Sequence, residues 1–150
     1  MIRLSDLYLM YAEALNEFSG PSTAVYDALN KIRERAGIPT VQEAWSNTTY
    51  AATPNKHTSQ DCLREIIQQE RMIELAFEGH RYYDIRRWKL AEKYFTTPIK
   101  GWSVDEDSEA NYYQIMEVSQ RSFNSPRDYL QPISFTELSR NPNLIQNPGW

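Results

Sequence analysis

The sequence predicts a mostly α-helical chain made of helical hairpins with long loops, one short β-hairpin near residues 112–124, and an irregular C-terminal tail. Three observations predict it. Apolar residues recur at steps of three and four over roughly 3–18, 23–36, 60–78 and 80–94, the spacing of a helix face. Gly-Pro, Gly-Ile-Pro and Gly punctuate those runs. Beyond residue 95 the helical period stops, and alternation and prolines replace it.

In the first helix Leu4, Leu7, Tyr8, Tyr11, Leu15 and Phe18 form the apolar stripe, and Gly20-Pro21 ends it. Ser22 or Thr23 caps a second helix that turns Ala24, Ala28, Leu29 and Ile32 to one side. Gly37 suits the left-handed position that closes this helix, with Pro39 beyond. Large Tyr8, Tyr11 and Leu15 against small Ala12, Ala24 and Ala28 follow the spacing of a tetratricopeptide-like hairpin, in which small residues let two helices approach closely. Residues 38–59 are polar and aperiodic and read as a long loop with one short turn around Val41 to Trp45. A third helix runs from 60 to 78, a tight break falls at Gly79, and a fourth helix covers 80–94. In the loop-rich remainder, "NYYQIMEVSQRSF" alternates and predicts a hairpin turning through residues 119–121. Ser134 and Glu137 have capping-box spacing for one helical turn, and Leu144, Ile145 and Trp150 are expected to pack the tail.

The bulk composition narrows the classes of function. At 150 residues the chain fits one ordinary domain, and 41% hydrophobic with 13% aromatic residues is a globular composition. A net charge of −4 argues against a general nucleic-acid binder, which needs a basic face. The one cysteine, Cys62, excludes an internal disulfide and is expected as a buried small residue in a helix. No apolar run is long enough to span a membrane as a helix.

The stretch "ERMIELAFEGHRYYDIRRWKL" concentrates the charge, with Glu70, Glu74, Glu78, His80 and Asp84 among aromatics and arginines. On a helical wheel the glutamates drift around the axis instead of converging, and only Glu70 falls inside the apolar sector of Leu63, Ile66, Ile67, Ile73 and Phe77. A carboxylate there needs a basic partner. Arg33, Arg35, Arg71, Arg81, Arg86 and Arg87 are all candidates, and a structural Glu70–Arg81 pair is the one expected. His80 has no second histidine at helical spacing, so no metal site is expected. No phosphate loop, nucleophile elbow or matched carboxylate pair points to catalytic residues or a cofactor.

Taken in order, "RLSDLYLMYAEALNE", "ALNKIRERAGIP", "ERMIELAFEGHRYYDIRRWKLAE" and "YLQPISFTELSRNPNLIQNPGW" resemble the carboxy-terminal part of SusD/RagB-family proteins. Gln131, Ser134 and the closing Trp150 depart mildly from the family pattern. The resemblance implies a single region, 1–150, of a longer lipoprotein whose signal, anchoring cysteine and amino-terminal repeats lie outside it. It implies a non-enzymatic binder on the outer membrane surface in Bacteroidetes, capturing polysaccharide, oligosaccharide or peptide with a SusC-like TonB-dependent transporter as partner. This chain is then mainly helical scaffold; the alternative is a helical-repeat docking module with no ligand of its own. The resemblance transfers no binding residue. Sugar chemistry itself favours loop aromatics, here Trp45, Tyr50, Trp102 and Tyr112, with Asn47, Asn55 and Asp105 as polar neighbours.

Overall fold

A computed structural model describes residues 3–150, which fall into two compact units divided between Arg81 and Tyr82. The first unit holds α1 (Leu4–Ser19), α2 (Thr23–Arg35), α3 (Val41–Ser46) and α4 (Gln60–Glu74). The second holds most of α5 (His80–Arg87), then α6 (Ala91–Phe95), β1 (Ile99–Trp102), α7 (Glu109–Tyr112), β2 (Ile115–Ser119) and α8 (Phe135–Arg140). The chain is thus mostly helical with one two-stranded antiparallel sheet, as its period changes predict.

In the first unit α1 packs on α2 and on α4 around Leu9, Ala12, Val25, Leu29, Leu63 and Ile67, which are almost wholly buried. The α1–α2 hairpin has the expected bounds to within a residue, but α1 is rotated. Its buried face is Asp6, Leu9, Ala12 and Asn16. Of the expected stripe, Leu4, Leu7, Tyr11 and Phe18 are 48–89% exposed, and only Tyr8 and Leu15 lie against the core. Ala12 is small enough to bring α1 close to its neighbours, and the two polar residues on this face find partners on α4, apart from the buried Asn16 Oδ1, which has none. Asp6 accepts a hydrogen bond from Arg71 at 2.7 Å, with side-chain exposures of only 6% and 5%. Asn16 donates to the Gln60 carbonyl at 3.0 Å, and the Gln60 amide donates back to the Asn16 carbonyl at 2.6 Å. Polar groups that find such partners can be buried at little net cost, so a hydropathy count misplaces the face.

The glutamates of α4 tie it to the other helices. Glu70 pairs with Arg33 of α2, and Arg33 also donates to the Pro39 carbonyl at 2.6 Å. Glu74 meets Arg3 at 3.1 Å and Arg35 at 2.6 Å, while Glu78 meets Arg3 at 2.6 Å. The expected Glu70–Arg81 pair is therefore corrected to Glu70–Arg33. Arg33 reaches Glu70 from α2, while α4 stops at Glu74 and the chain turns through Phe77 at φ 64° and Gly79 at φ 81° before Arg81. Ile73 within α4 and Phe77 beyond its end are both exposed, although both were expected in the core. Cys62 is half-buried rather than fully enclosed.

The 38–59 segment is more ordered than a long loop. Thr40 and Glu43 form a reciprocal capping box, with the Glu43 N–H donating to Thr40 Oγ1 at 3.2 Å and the Thr40 N–H to Glu43 Oε2 at 3.0 Å. Asn30 accepts from the Val41 N–H at 2.9 Å, and the Tyr26 hydroxyl donates to the His57 carbonyl at 3.0 Å.

In the second unit the expected 80–94 helix divides. The Lys89 N–H bonds the Arg86 carbonyl and the Leu90 N–H the Ile85 carbonyl, with Lys89 at φ 59°, a Schellman closure without glycine. Ile85, Ala91 and Phe123 then form a small core with Leu90, Phe95 and Tyr129 around it. The expected hairpin through 119–121 is also corrected: β2 pairs upstream with β1, placing Trp102 opposite Ile115. The strand Ile99–Trp102 is too short to alternate visibly, and it contains Gly101, where a Cβ would stand 3.0 Å from Val118 Cγ2. The tail is pinned by amides more than by apolar packing. Gln146 both accepts from the Ile133 N–H at 2.8 Å and donates to its carbonyl at 2.9 Å, while Ile145 is 87% exposed.

Replacing Glu70 by Gln removes the negative charge opposite a nearly enclosed guanidinium. The expected outcome is a loss of roughly 1–5 kcal/mol in a denaturant titration, with secondary structure retained at low denaturant.

Candidate functional site

Trp102 ends β1, and the chain then runs through Asp105–Asp107 into α7 before returning as β2. Ser108 caps α7 by accepting from the Asn111 N–H at 3.4 Å, and the Ser103 N–H donates to the Gln114 carbonyl at 3.2 Å. These bonds close the connection so that Trp102, Tyr112 and Tyr113 gather at one end of the two-stranded ribbon. Ring centroids lie 6.0 Å apart for Trp102–Tyr112, 5.3 Å for Trp102–Tyr113 and 5.3 Å for Tyr112–Tyr113. The two contacts of Tyr113 are edge-to-face, at 84° and 86°, which holds the rings by one another rather than by a deep core.

Trp102 is 53% and Tyr113 57% exposed, so ring faces remain open to a ligand. Aromatic faces take the C–H side of a sugar ring, and amides and carboxylates take its hydroxyls. Asp105, Glu106 and Asp107 flank the rings in sequence, and Glu106 accepts from the Asn111 amide at 3.4 Å. Of the aromatics singled out in the sequence, the structure brings Trp102 and Tyr112 together. Tyr113 was missed although it adjoins Tyr112, because the pairing of β1 with β2 is what carries it to Trp102.

Trp45 and Tyr50 belong to the first unit. Trp45 packs against that unit's core with Lys56 Nζ 5.6 Å from its ring, so packing accounts for it. Tyr50 is 84% exposed. Asn47 accepts from the Thr49 N–H at 2.8 Å, and Asn55 takes a left-handed φ of 61°, both turn roles.

A cleft of about 350 Å³ lies elsewhere in the second unit, lined by residues including Tyr82, Arg86, Phe95, Asp128 and Trp150. Asp128 accepts from Arg127 Nε at 2.7 Å and from the Asn124 N–H at 2.7 Å. The Arg127 bond first, then the backbone donor, hold its carboxyl below the usual aspartate range. The Arg127 guanidinium also covers the Trp150 ring at 4.8 Å, and Trp150 Nε1 donates to the Arg127 carbonyl at 3.2 Å. Among the described residues no group of three or more His, Cys, Asp or Glu is placed to hold a metal ion.

A family model described as the SusD family matches residues 1–150. SusD-like protein P2 of Formosa agariphila is 37% identical over 150 residues, 99% of this chain and 25% of that protein. SusD-like protein P25 of the same organism is 33% identical over 147 residues, 98% of this chain and 23% of that protein. Among solved structures, a SusD-like protein from Bacteroides fragilis superposes with a TM-score of 0.78 at 31% identity, covering 99% of this chain and 25% of that one. A SusD-like carbohydrate binding protein from the same species gives a TM-score of 0.71 at 32% identity, covering 97% of this chain and 28% of that one. The chain spans about a quarter of the length of these relatives.

Asp128 carries a pH signature. A carboxyl whose folded-state pKa is depressed contributes stability above its unfolded value, and that contribution disappears as pH falls through the folded value. The difference in thermal midpoint between the wild type and Asp128→Asn is expected to be constant above about pH 5 and to shrink below about pH 4. Melting curves from pH 2 to 7 check it.

Proposed function

The chain belongs to the SusD family, and on that premise we propose that it is part of a glycan-capturing protein of a nutrient-uptake system. In this reading the protein is held on the outer membrane surface, performs no catalysis and passes its ligand to a TonB-dependent transporter. The observation that carries it is the trio of Trp102, Tyr112 and Tyr113, with two of its rings about half exposed. A similar protein described as carbohydrate binding supports the same class of ligand. The first unit then serves as scaffold, since its ionised side chains are spent on joining α1, α2 and α4.

One observation favours a second reading. Leu4, Leu7, Tyr11 and Phe18 leave α1 with an exposed apolar stripe, which suits a helical-repeat module docking another protein.

Calorimetric titration against a panel of soluble oligosaccharides separates the two. The expected outcome is saturable binding of at least one neutral glycan class, weakened about three- to tenfold by Trp102→Ala, the worth of one ring contact. No binding across the panel by correctly folded protein would overturn the glycan reading and leave docking in its place.

A further inference from the structure

We propose that the cleft of the second unit is a second ligand site, one that takes the carboxylate of an acidic sugar, a hexuronate residue within a glycan, with Arg86 as its anchor. The proposal rests on the carbohydrate-binding reading above and adds to it a place and a charge.

Arg86 extends from α5 into an aromatic enclosure. Its guanidinium carbon lies 3.6 Å from the Tyr82 ring centroid, 5.4 Å from that of Phe95 and 5.9 Å from that of Phe123. Rings satisfy the faces of the cation and leave hydrogen bonding to its edge. That edge is poorly served: Nη1 donates to the Tyr82 carbonyl at a long 3.4 Å, and the buried Nε has no hydrogen-bond partner. A buried donor without an acceptor is costly, and it shows that the protein itself leaves hydrogen-bonding capacity of this guanidinium unspent.

The acceptor does not come from the nearest acid. Asp128 also lines the cleft, but its Oδ1 is held by Arg127 and its Oδ2 by the Asn124 N–H. Arg127 makes the ion pair with Asp128, and Arg86 adds to it only through space, so the Arg86 guanidinium keeps its donors for a ligand. A carboxylate matches a guanidinium edge in plane and charge, and such charge-assisted bonds are about twice as strong as neutral ones. The surroundings fit a sugar ring behind that carboxylate. Trp150 is 48% and Tyr82 40% exposed, offering ring surface, and the Gln131 amide donates to the Tyr82 hydroxyl at 3.2 Å with its carbonyl still able to accept from a sugar hydroxyl. The cleft, about 350 Å³, is at the lower end of small-ligand sites, room for one or two rings.

The test is calorimetry of the purified protein against a hexuronate oligosaccharide, the same oligosaccharide with its carboxyls reduced to alcohols, and a short acidic peptide. The uronate is expected to bind at least about tenfold more tightly than its reduced form, with the peptide weaker than the uronate. Arg86→Met, with its fold checked by circular dichroism, is expected to erase the difference and keep neutral binding. Trp102→Ala is expected to keep the uronate the tighter of the two sugars. Where Arg86→Met does not fold, the wild-type comparison of the two sugars decides alone. Equal affinity for the two sugars overturns the Arg86 site while the carbohydrate reading stands, and so does a peptide that binds more tightly than the uronate. No binding of either sugar overturns the Arg86 site, and the panel titration above then decides the carbohydrate reading.

Discussion

The first unit depends on how α4 is held against α1. Near one end the Asp6–Arg71 pair is closed off from water, and near the other Asn16 and Gln60 exchange hydrogen bonds with each other's backbone. Between them Leu9 and Ala12 meet an apolar core. Such polar clasps add modest net energy, because desolvation cancels much of the attraction. Their larger effect is on register. Sliding α4 by a turn, or rotating α1 to bury its more apolar stripe, strands a carboxylate, a guanidinium and an amide without partners, which costs several kcal/mol. The arrangement is selected by what the alternatives leave unpaired.

Much of this fold was legible in the sequence because the relevant signals are local. Gly20-Pro21 and Gly37 end their helices where expected, and Ala12 and Ala28 join the core with Tyr8 and Leu15 against it, while Tyr11 and Ala24 stay exposed. Failures came where a distant partner decided the outcome. Asp6 and Asn16 look like surface residues until Arg71 and Gln60 arrive, so the buried face of α1 was misread. Glu70 was rightly judged to need an arginine, but Arg33 on another helix supplied it once the chain bent at Phe77. The strand Ile99–Trp102 carries no period of its own and exists through its pairing with β2. For the same reason two of the three rings of the aromatic cluster were nameable beforehand, while their assembly with Tyr113 was not.

The two units use arginine differently, and this bears on function. In the first, arginines meet carboxylates across helices, and those charges are consumed by architecture. In the second, Arg86 and Arg127 lie over aromatic rings, and Arg87 stands 4.6 Å from the Trp88 ring. Arg127 and Arg87 also pair with Asp128 and Asp84, whereas Arg86, stacked on Tyr82, forms no ion pair among the described residues, a property suited to binding surfaces. The dense charge of residues 70–90 therefore resolves into helix-joining pairs in its first half and ring-stacked cations in its second.

The most direct measurement of the central claim is a double-mutant cycle on Asp6→Asn and Arg71→Met, read as unfolding free energy in denaturant. If the buried pair sets the α1–α4 register, each single change costs about 3–5 kcal/mol, and the double variant loses much less than the two losses added together. Additive losses, or single changes that cost nothing measurable, would contradict the claim and return the stability of this unit to its apolar core alone.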